Sequence, residues 1–180
     1  QTIPAVDAAT FEDSEKQHIV NTGFTAKGNP LKSVTTTVTM MEGKWRLDTE
    51  RTVISKYDGR GNALVQDVTV REARTAADGT MPEVALENGM IPAAVIGSAS
   101  FEDSEKQHIV NTGFTPKGNP LTSVTTSASY DGTKWLLDSE RTTVSKYDGR
   151  GNAVMQEITT RIAKLTDGNP AVAVLDPATR

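Results

Sequence analysis

Runs rich in Thr, Val and Ile alternate along the chain with short segments rich in Gly, Asn, Asp and Pro. β-branched residues fit a pleated strand, whereas Gly and Asn reach positive φ at the lowest cost. The pattern therefore predicts strands over residues 17–25, 31–40, 44–57 and 63–73, joined as an antiparallel meander, and a short fifth strand around 83–87. No stretch has a sustained helical period of apolar residues.

Alternation within the predicted strands places Thr among aliphatic residues on the same face. Val34, Thr36 and Val38 share a face, and Trp45 and Leu47 point the same way as each other. A sheet packed on a thick core would carry less Thr on its buried face. We therefore expect either a thin layer of packing between sheets or a core whose burial is completed by a neighbouring unit.

An internal repeat organises the whole chain. Residues 11–70 and 101–160 share 42 identities in 60 positions, at an offset of 90. This predicts two copies of one unit, residues 1–90 and 91–180. The expected fold is all-β, with two tandem homologous antiparallel β-meander units that are sandwich- or barrel-like and pseudo-symmetric. Repeat units of this kind share burial with their neighbours.

A shorter pattern recurs within each unit: an aromatic residue, three residues, Gly-Asn, one residue and an aliphatic residue. It begins at Phe24, Tyr57, Phe114 and Tyr147, 33 residues apart within each unit. Gly and Asn favour the tight turn that closes an antiparallel pair, so each copy of the pattern predicts a hairpin turn.

Composition removes several functional classes. The chain has no cysteine, which excludes disulfide scaffolds, thiolate metal sites and cysteine nucleophiles. A net charge of −4 argues against nucleic acid as a partner. No apolar run approaches the roughly 18 residues of a membrane helix, so no membrane span is expected. The sequence begins with Gln, and we expect a secretion signal to have been removed.

An acidic cluster recurs unchanged in the two units and is a candidate calcium site. Calcium takes oxygen ligands, and each cluster offers three carboxylates within four residues. The alternative is a solvated loop that leads into a strand, and no other cofactor is expected. The residues are Glu12, Asp13, Glu15, Glu102, Asp103 and Glu105.

Aromatic residues offer a second candidate site, for carbohydrate. Rings on an exposed sheet can stack on sugars, which would give one site per repeat. The alternative is that these side chains are the few large core residues of each unit, where burial of a Trp contributes about 2–3 kcal/mol. The residues are Trp45, Tyr57, Trp135 and Tyr147.

Pairs of acids two residues apart suggest a glycan-acting enzyme as a further alternative. Asp48 and Glu50, like Asp138 and Glu140, are expected on one strand face at a spacing that suits glycoside hydrolysis. Lys and Arg residues are interleaved with them, which favours cross-strand ion pairs instead. We therefore expect no enzymatic activity.

The only two histidines, His18 and His108, occupy identical settings in the two units. One histidine per unit is too few for a metal site by itself. The interpretations are a strand residue with no special role and a pH-sensitive contact between units.

The turns from Tyr57 to Asn62 and from Tyr147 to Asn152 resemble the YD-type repeats of bacterial Rhs-like and surface proteins. The segments at Gly43-Lys44-Trp45 and Lys134-Trp135 resemble Gly-Lys-Trp hairpin repeats of surface proteins. The resemblance implies β-sheet arrays outside the cell, at a bacterial surface or secreted, and it carries no catalytic residues.

We therefore expect a non-enzymatic secreted or cell-surface module that is structural or adhesive and associates through its strand edges. The expected partners are other copies of the chain, surface proteins or glycans. The segment from Ile91 to Ile96, with its partial copy from Ile3 to Val6, is either a donated strand or a simple linker.

Overall fold

The computed structural model describes residues 13–98, 101–166 and 169–171. The all-β class is confirmed, and the four strands predicted for the first unit lie within two residues of their expected bounds. The strands are β1 (Glu15–Phe24), β2 (Pro30–Met41), β3 (Lys44–Tyr57), β4 (Ala63–Ala73), β5 (Phe101–Phe114), β6 (Pro120–Tyr130), β7 (Trp135–Tyr147), β8 (Ala153–Ile162), β9 (Leu165–Thr166) and β10 (Asn169–Pro170). One short helix, α1, spans Ala93–Ser98.

Strands β1 to β8 form one antiparallel sheet in the order of the sequence. Because β4 pairs with β5, the two halves of the chain share this sheet. The expected sandwich or barrel is wrong, since β1 and β8 are the outer strands and do not pair with each other among the described residues. The register of β1 on β2 recurs in β5 on β6, where Glu15 opposite Thr39 becomes Glu105 opposite Ser129.

The sheet has two distinct faces. The front face carries Val34, Thr36 and Val38 of β2, as the alternation predicted, and the back face carries Ser33 and Thr37. In β3 the ladder passes from Leu47 opposite Val38 to Thr49 opposite Thr37, which leaves Asp48 as an extra residue in a β-bulge. The extra residue reverses the alternation of side chains along β3. Odd-numbered residues point to the front face before the bulge and to the back face after it.

The main core lies on the front face of the first half. It contains Val38, Leu47, Ala73, Val84 and Ile91. Partly buried side chains pack against this cluster, and they come from β3, from the segment after β4 and from β5: Trp45, Leu86, Val95, Ile96 and Phe101. Since Phe101 belongs to the second repeat, the neighbouring unit completes the burial, as the mixed Thr faces suggested.

Residues 82–98 form the cover over this core. Val84 donates a backbone hydrogen bond to Trp45 at 2.8 Å, and the predicted fifth strand is reduced to an isolated bridge between Glu83 and Arg46. Of the two interpretations of the segment from Ile91 to Ile96, the donated strand is wrong, because Ala93–Ser98 is helical and Ile91 is buried. Its partial copy from Ile3 to Val6 lies outside the described residues.

The four predicted hairpin turns lie side by side along one end of the sheet. Asn29 Nδ2 donates to Gly61 O at 3.2 Å, and Asn119 Nδ2 donates to Gly151 O at 3.1 Å. Within the second turn, backbone N–H donation from Asn62 holds the pKa of Asp58 below its usual range. The turns therefore form a ladder of their own beside the strand ladder.

Gly118 connects the two halves of this turn ladder, and its substitution tests the contact. Its φ is +85°, and an added Cβ would lie 2.6 Å from Asn62 Oδ1. The Asn62 side chain is held by Asp58 Oδ2 at 2.7 Å, so it cannot move away without losing that hydrogen bond. We expect Gly118→Ala to lower the free energy of unfolding by more than the roughly 1–2 kcal/mol of left-handed strain alone, as measured by urea denaturation.

The repeat supplies the control for this substitution. Gly28 is the equivalent residue of the first unit, with φ +82° and nothing within 4 Å of an added Cβ. Gly28→Ala should show only the cost of backbone strain. Equal losses for the two variants would contradict a tight contact between the second and third turns.

Leu47 and Leu137 form a second matched pair, which tests the cover over the core. Leu47 is 1% exposed beneath residues 82–98, whereas Leu137 is only half-buried. Leu47→Ala should lower the free energy of unfolding by about 2–5 kcal/mol, the usual cost of a core truncation. Leu137→Ala should cost less in the same urea titration, and an equal cost would mean that both halves are equally covered.

Candidate functional site

The contact between β4 and β5 is the most developed interaction surface between the two repeats. A backbone ladder runs from Val65 opposite Val110 to Ala73 opposite Phe101. Asp67 Oδ1 lies 2.6 Å from His108 Nδ1 across this ladder. We call the facing surfaces of β4 and β5 the junction.

Further side-chain contacts extend the junction to both of its ends. At one end Asn111 Nδ2 donates to Ala63 O at 3.0 Å. At the other end Ser104 Oγ donates to Glu72 Oε1 at 2.9 Å, and the Arg71 guanidinium lies 5.4 Å from the ring centre of Phe101. Backbone pairing, hydrogen bonds and a cation–π contact therefore all act at one interface.

Sequence reasoning did not identify Asp67 or Asn111 as functional residues. The repeated histidine was the feature of the sequence that could have pointed to this contact. His108 faces β4, whereas its copy His18 lies on the outer strand β1. His108 therefore lies where its pH-sensitive interpretation required, at the contact between units. Its response to pH stays a prediction.

The two outer strands repeat the surfaces of the junction without a further partner strand among the described residues. Ile19 of β1 is 56% exposed, whereas Ile109, its equivalent in β5, is half-buried. Ile158 of β8 is 49% exposed, whereas Val68, its equivalent in β4, is 3% exposed. The same side-chain types are covered inside the sheet and open at its edges, so the edges are the candidate interaction site.

The tryptophans of the candidate carbohydrate site are half-buried on the front face, each beneath a lysine. Lys16 Nζ lies 5.1 Å from the ring centre of Trp45, and Lys106 Nζ lies 4.2 Å from that of Trp135. Tyr130 packs beside Trp135 at 5.1 Å with a tilt of 45°. The cations thus occupy the ring faces on which a sugar would stack.

The tyrosines of the same candidate site lie elsewhere. Tyr57 stands at the other end of β3 from Trp45, 12 residues or about 40 Å along the strand, and the bulge at Asp48 places it on the back face. Tyr147 and Trp135 are related in the same way in β7. The four aromatic residues therefore do not form paired binding sites.

Tyr57 does line a shallow groove of about 190 Å³ on the back face, with Ser55, Gln66 and Val68 among its neighbours. The Tyr57 hydroxyl donates to Pro30 O at 3.2 Å, so the polar end of the side chain is already engaged. Pockets for small ligands are usually about 300–1,000 Å³. This groove is too small to enclose a substrate.

The acids of the candidate calcium site bind neighbouring side chains. Asp13 pairs with Lys16 at 2.8 Å, and Glu15 accepts from Gln17 at 2.7 Å. Within residues 13–98, 101–166 and 169–171, no group of three acids or histidines is placed to hold a metal ion. Calcium binding stays a prediction. Three residues of the second cluster lie on β5, namely Glu102, Asp103 and Glu105, and Glu12 lies outside the described residues.

The acid pairs of the candidate enzyme are split between the faces. The expected common face of Asp48 and Glu50 is wrong, because the bulge lies between them. Glu50 is buried on the front face, where it pairs with Arg71 of β4, and this is the predicted cross-strand ion pair. In the second unit Glu140 pairs with Arg161 at 3.1 Å, while Asp138 accepts from Ser129 Oγ at 3.0 Å.

Asp48 lies close to two other carboxylates on the back face of the sheet. Partial burial raises its pKa, and the negative charges of Glu15 and Glu72 raise it further. The equivalent of Glu72 in the second unit is Ile162, so Asp138 has one acidic neighbour fewer. Partial burial, followed by the neighbouring carboxylates, accounts for the raised pKa.

Asp48→Asn tests this electrostatic cost. The ionised form is disfavoured in the folded state, so the cost is fully present above the raised pKa and disappears below the ordinary value of 3.8. The variant should therefore gain roughly 0.2–1 kcal/mol in free energy of unfolding at pH 7, the scale of exposed charge interactions, and lose that gain as the pH falls through the raised pKa to 3.8.

Asp138→Asn is the matched control for this measurement, which is a urea titration repeated across pH. It should gain less at neutral pH, because Ile162 replaces the acidic neighbour. A gain at pH 7 that persists unchanged at pH 3 would show that the effect is not the charge of Asp48.

Comparisons with known proteins identify no relative: no family model matches the sequence, and no curated protein or solved structure gives a significant match. Across the described residues, the structure contains no helix with the length and apolar character needed to cross a bilayer.

Proposed function

We propose that the chain is a non-enzymatic structural or adhesive module of a secreted or cell-surface protein, and that it associates through its strand edges. The junction is the observation that carries this proposal. It joins one repeat to the next by adding strand to strand, and the outer strands β1 and β8 present the same kinds of surface to solvent. Unpaired strand edges are ready templates for another strand.

The arrangement of the acids supports a non-enzymatic role. Glu50 and Glu140 are engaged by arginines, and Asp48 lies on the other face of the sheet from Glu50. Glycoside hydrolysis uses two carboxyl groups that flank one glycosidic bond, about 5–9.5 Å apart. The groove beside Tyr57 contains neither acid.

The carbohydrate-binding alternative has less support. It needs an open ring face, and Lys16 and Lys106 lie over the tryptophan rings. It also needs a concave or aromatic-lined patch, whereas Trp45 and Tyr57 are on opposite faces. The proposed location outside the cell rests on the resemblance of the Tyr-Asp turns and the Gly-Lys-Trp hairpins to surface-protein repeats.

Sedimentation velocity across a range of concentrations tests the proposal. Higher species should form as the concentration rises. Ile19→Lys should suppress them with little loss of stability, because Ile19 is exposed on an outer strand and its replacement adds a charge to that edge.

Ile109→Lys is the control, since it changes the same residue of the repeated sequence inside the sheet. It should lower the free energy of unfolding, because the lysine would enter a covered strand. A chain that stays monomeric at all concentrations, or a tryptophan emission that shifts with added oligosaccharides, would contradict the proposed function.

A further inference from the structure

The two outer strands are copies of the two strands that meet at the junction. Residues 15–24 of β1 are identical to residues 105–114 of β5. Strand β8 repeats β4 with mainly conservative changes, such as Glu157 for Asp67 and Ile158 for Val68. One end of the sheet thus ends in a copy of β4, and the other end begins with a copy of β5.

We propose that β8 of one molecule docks antiparallel on β1 of a second molecule, in the register that β4 and β5 use within the chain. This inference rests on the proposed function, because it names the partner and the register of the edge pairing. The register places Val20 opposite Met155, His18 opposite Glu157 and Lys16 opposite Thr159, by analogy with the pairs of the junction.

Two polar contacts of the junction have counterparts at the docked edges, whereas the contact of Ser104 with Glu72 has none, because Ile162 takes the place of Glu72. Asp67 and His108 approach to 2.6 Å within the chain, and Glu157 and His18 supply the same carboxylate and imidazole. Asn111 Nδ2 donates to Ala63 O, and Asn21 would donate to the carbonyl of Ala153 in the same way. The imidazole–carboxylate contact and the amide–carbonyl contact therefore both recur in this one register.

The exposed apolar side chains of the two outer strands also have counterparts at the junction, where the equivalent side chains are covered. Pairing with β5 leaves Val68 buried, whereas its equivalent Ile158 is exposed on β8. Pairing with β4 likewise covers Ile109, whereas Ile19 is exposed on β1. Docking would cover both exposed isoleucines, which favours a second copy of the chain over a strand of unrelated sequence.

The two docking surfaces differ, so the contact is heterologous. Each molecule that docks through β8 leaves its own β1 open, and the series continues without closing. Within one molecule β1 and β8 are separated by six strands and do not pair with each other among the described residues. The expected product is an open row of molecules in one continuous sheet.

Cysteine cross-linking of the full chain tests the register, because the sequence contains no cysteine of its own. A Val20→Cys chain mixed with a Met155→Cys chain should form a disulfide-linked dimer on mild oxidation, seen by non-reducing electrophoresis. Val65→Cys with Val110→Cys in one chain is the positive control, since these equivalent residues face each other across the junction. Directly opposed strand residues lie within disulfide reach.

Val20→Cys mixed with Thr159→Cys is the mismatched control, because the proposed register separates these residues by four positions on the partner strand. The matched pair should cross-link several-fold faster than this pair. A chain that carries both Val20→Cys and Met155→Cys should give a ladder of multimers. Equal rates for the matched and mismatched pairs, or a closed dimer without larger species, would overturn the inference.

A substitution in the turn ladder gives an independent measurement. In a docked pair Gly28 takes the place that Gly118 has beside Asn62, and it would meet Asn152 of the other molecule. Gly28→Ala should therefore raise the concentration at which higher species form. Gly43→Ala, at φ +76° in a hairpin at the other end of the strands, should leave that concentration unchanged. Equal effects of the two variants would count against the docking geometry.

Failure of this inference can be told apart from failure of the proposed function. If the unmodified chain associates but the matched cysteine pair gives no excess of cross-link, edge association survives and this register is wrong. If the chain stays monomeric and the matched pair does not cross-link, both proposals are wrong.

Discussion

The strand-to-strand ladder is the interaction on which the rest of this structure depends. Apart from the short strands β9 and β10, the extensive contacts between elements join strands that are neighbours in the sheet. Among the described residues, the main cover over a face is residues 82–98, over the core of the first half. With so little apolar burial in this part of the chain, backbone pairing and cross-strand side-chain pairs must supply much of its stability. A strand without a partner is then the least stabilised part of the molecule.

Equivalent residues of the two repeats have different neighbours, and comparing them shows how burial depends on the adjacent strands. Ile19 and Ile109 belong to the same repeated decamer, and Ile109, which lies beside β4, is the less exposed of the two. Leu47 is buried beneath a cover to which the next repeat contributes Phe101, whereas Leu137 is half-buried. The first unit thus draws part of its burial from the second, which is how the units of a repeat protein are stabilised.

The strands could be predicted because local signals agree: β-branched runs end at Gly-Asn turns, and the repeat states each signal twice. The bulge at Asp48 could not be predicted, because one extra residue leaves the composition of the strand unchanged. It nevertheless places Asp48 and Glu50 on opposite faces, and likewise Trp45 and Tyr57. Thr fits covered and open positions alike, so the sequence did not distinguish a single sheet from a sandwich. The helix Ala93–Ser98 is too short for a helical period to be visible.

Charged residues on outer strands usually protect a sheet from pairing with other chains. The outer strands β1 and β8 carry charged residues such as Glu15, Lys16 and Arg161. His18 and Glu157 repeat the residues that contact each other at the junction, so the proposed register would pair them, whereas a shifted register would separate them. The side chains of the two edges would then oppose random pairing and favour one ordered contact. Specificity at such an edge comes from the side chains, while the backbone provides the attraction common to every strand.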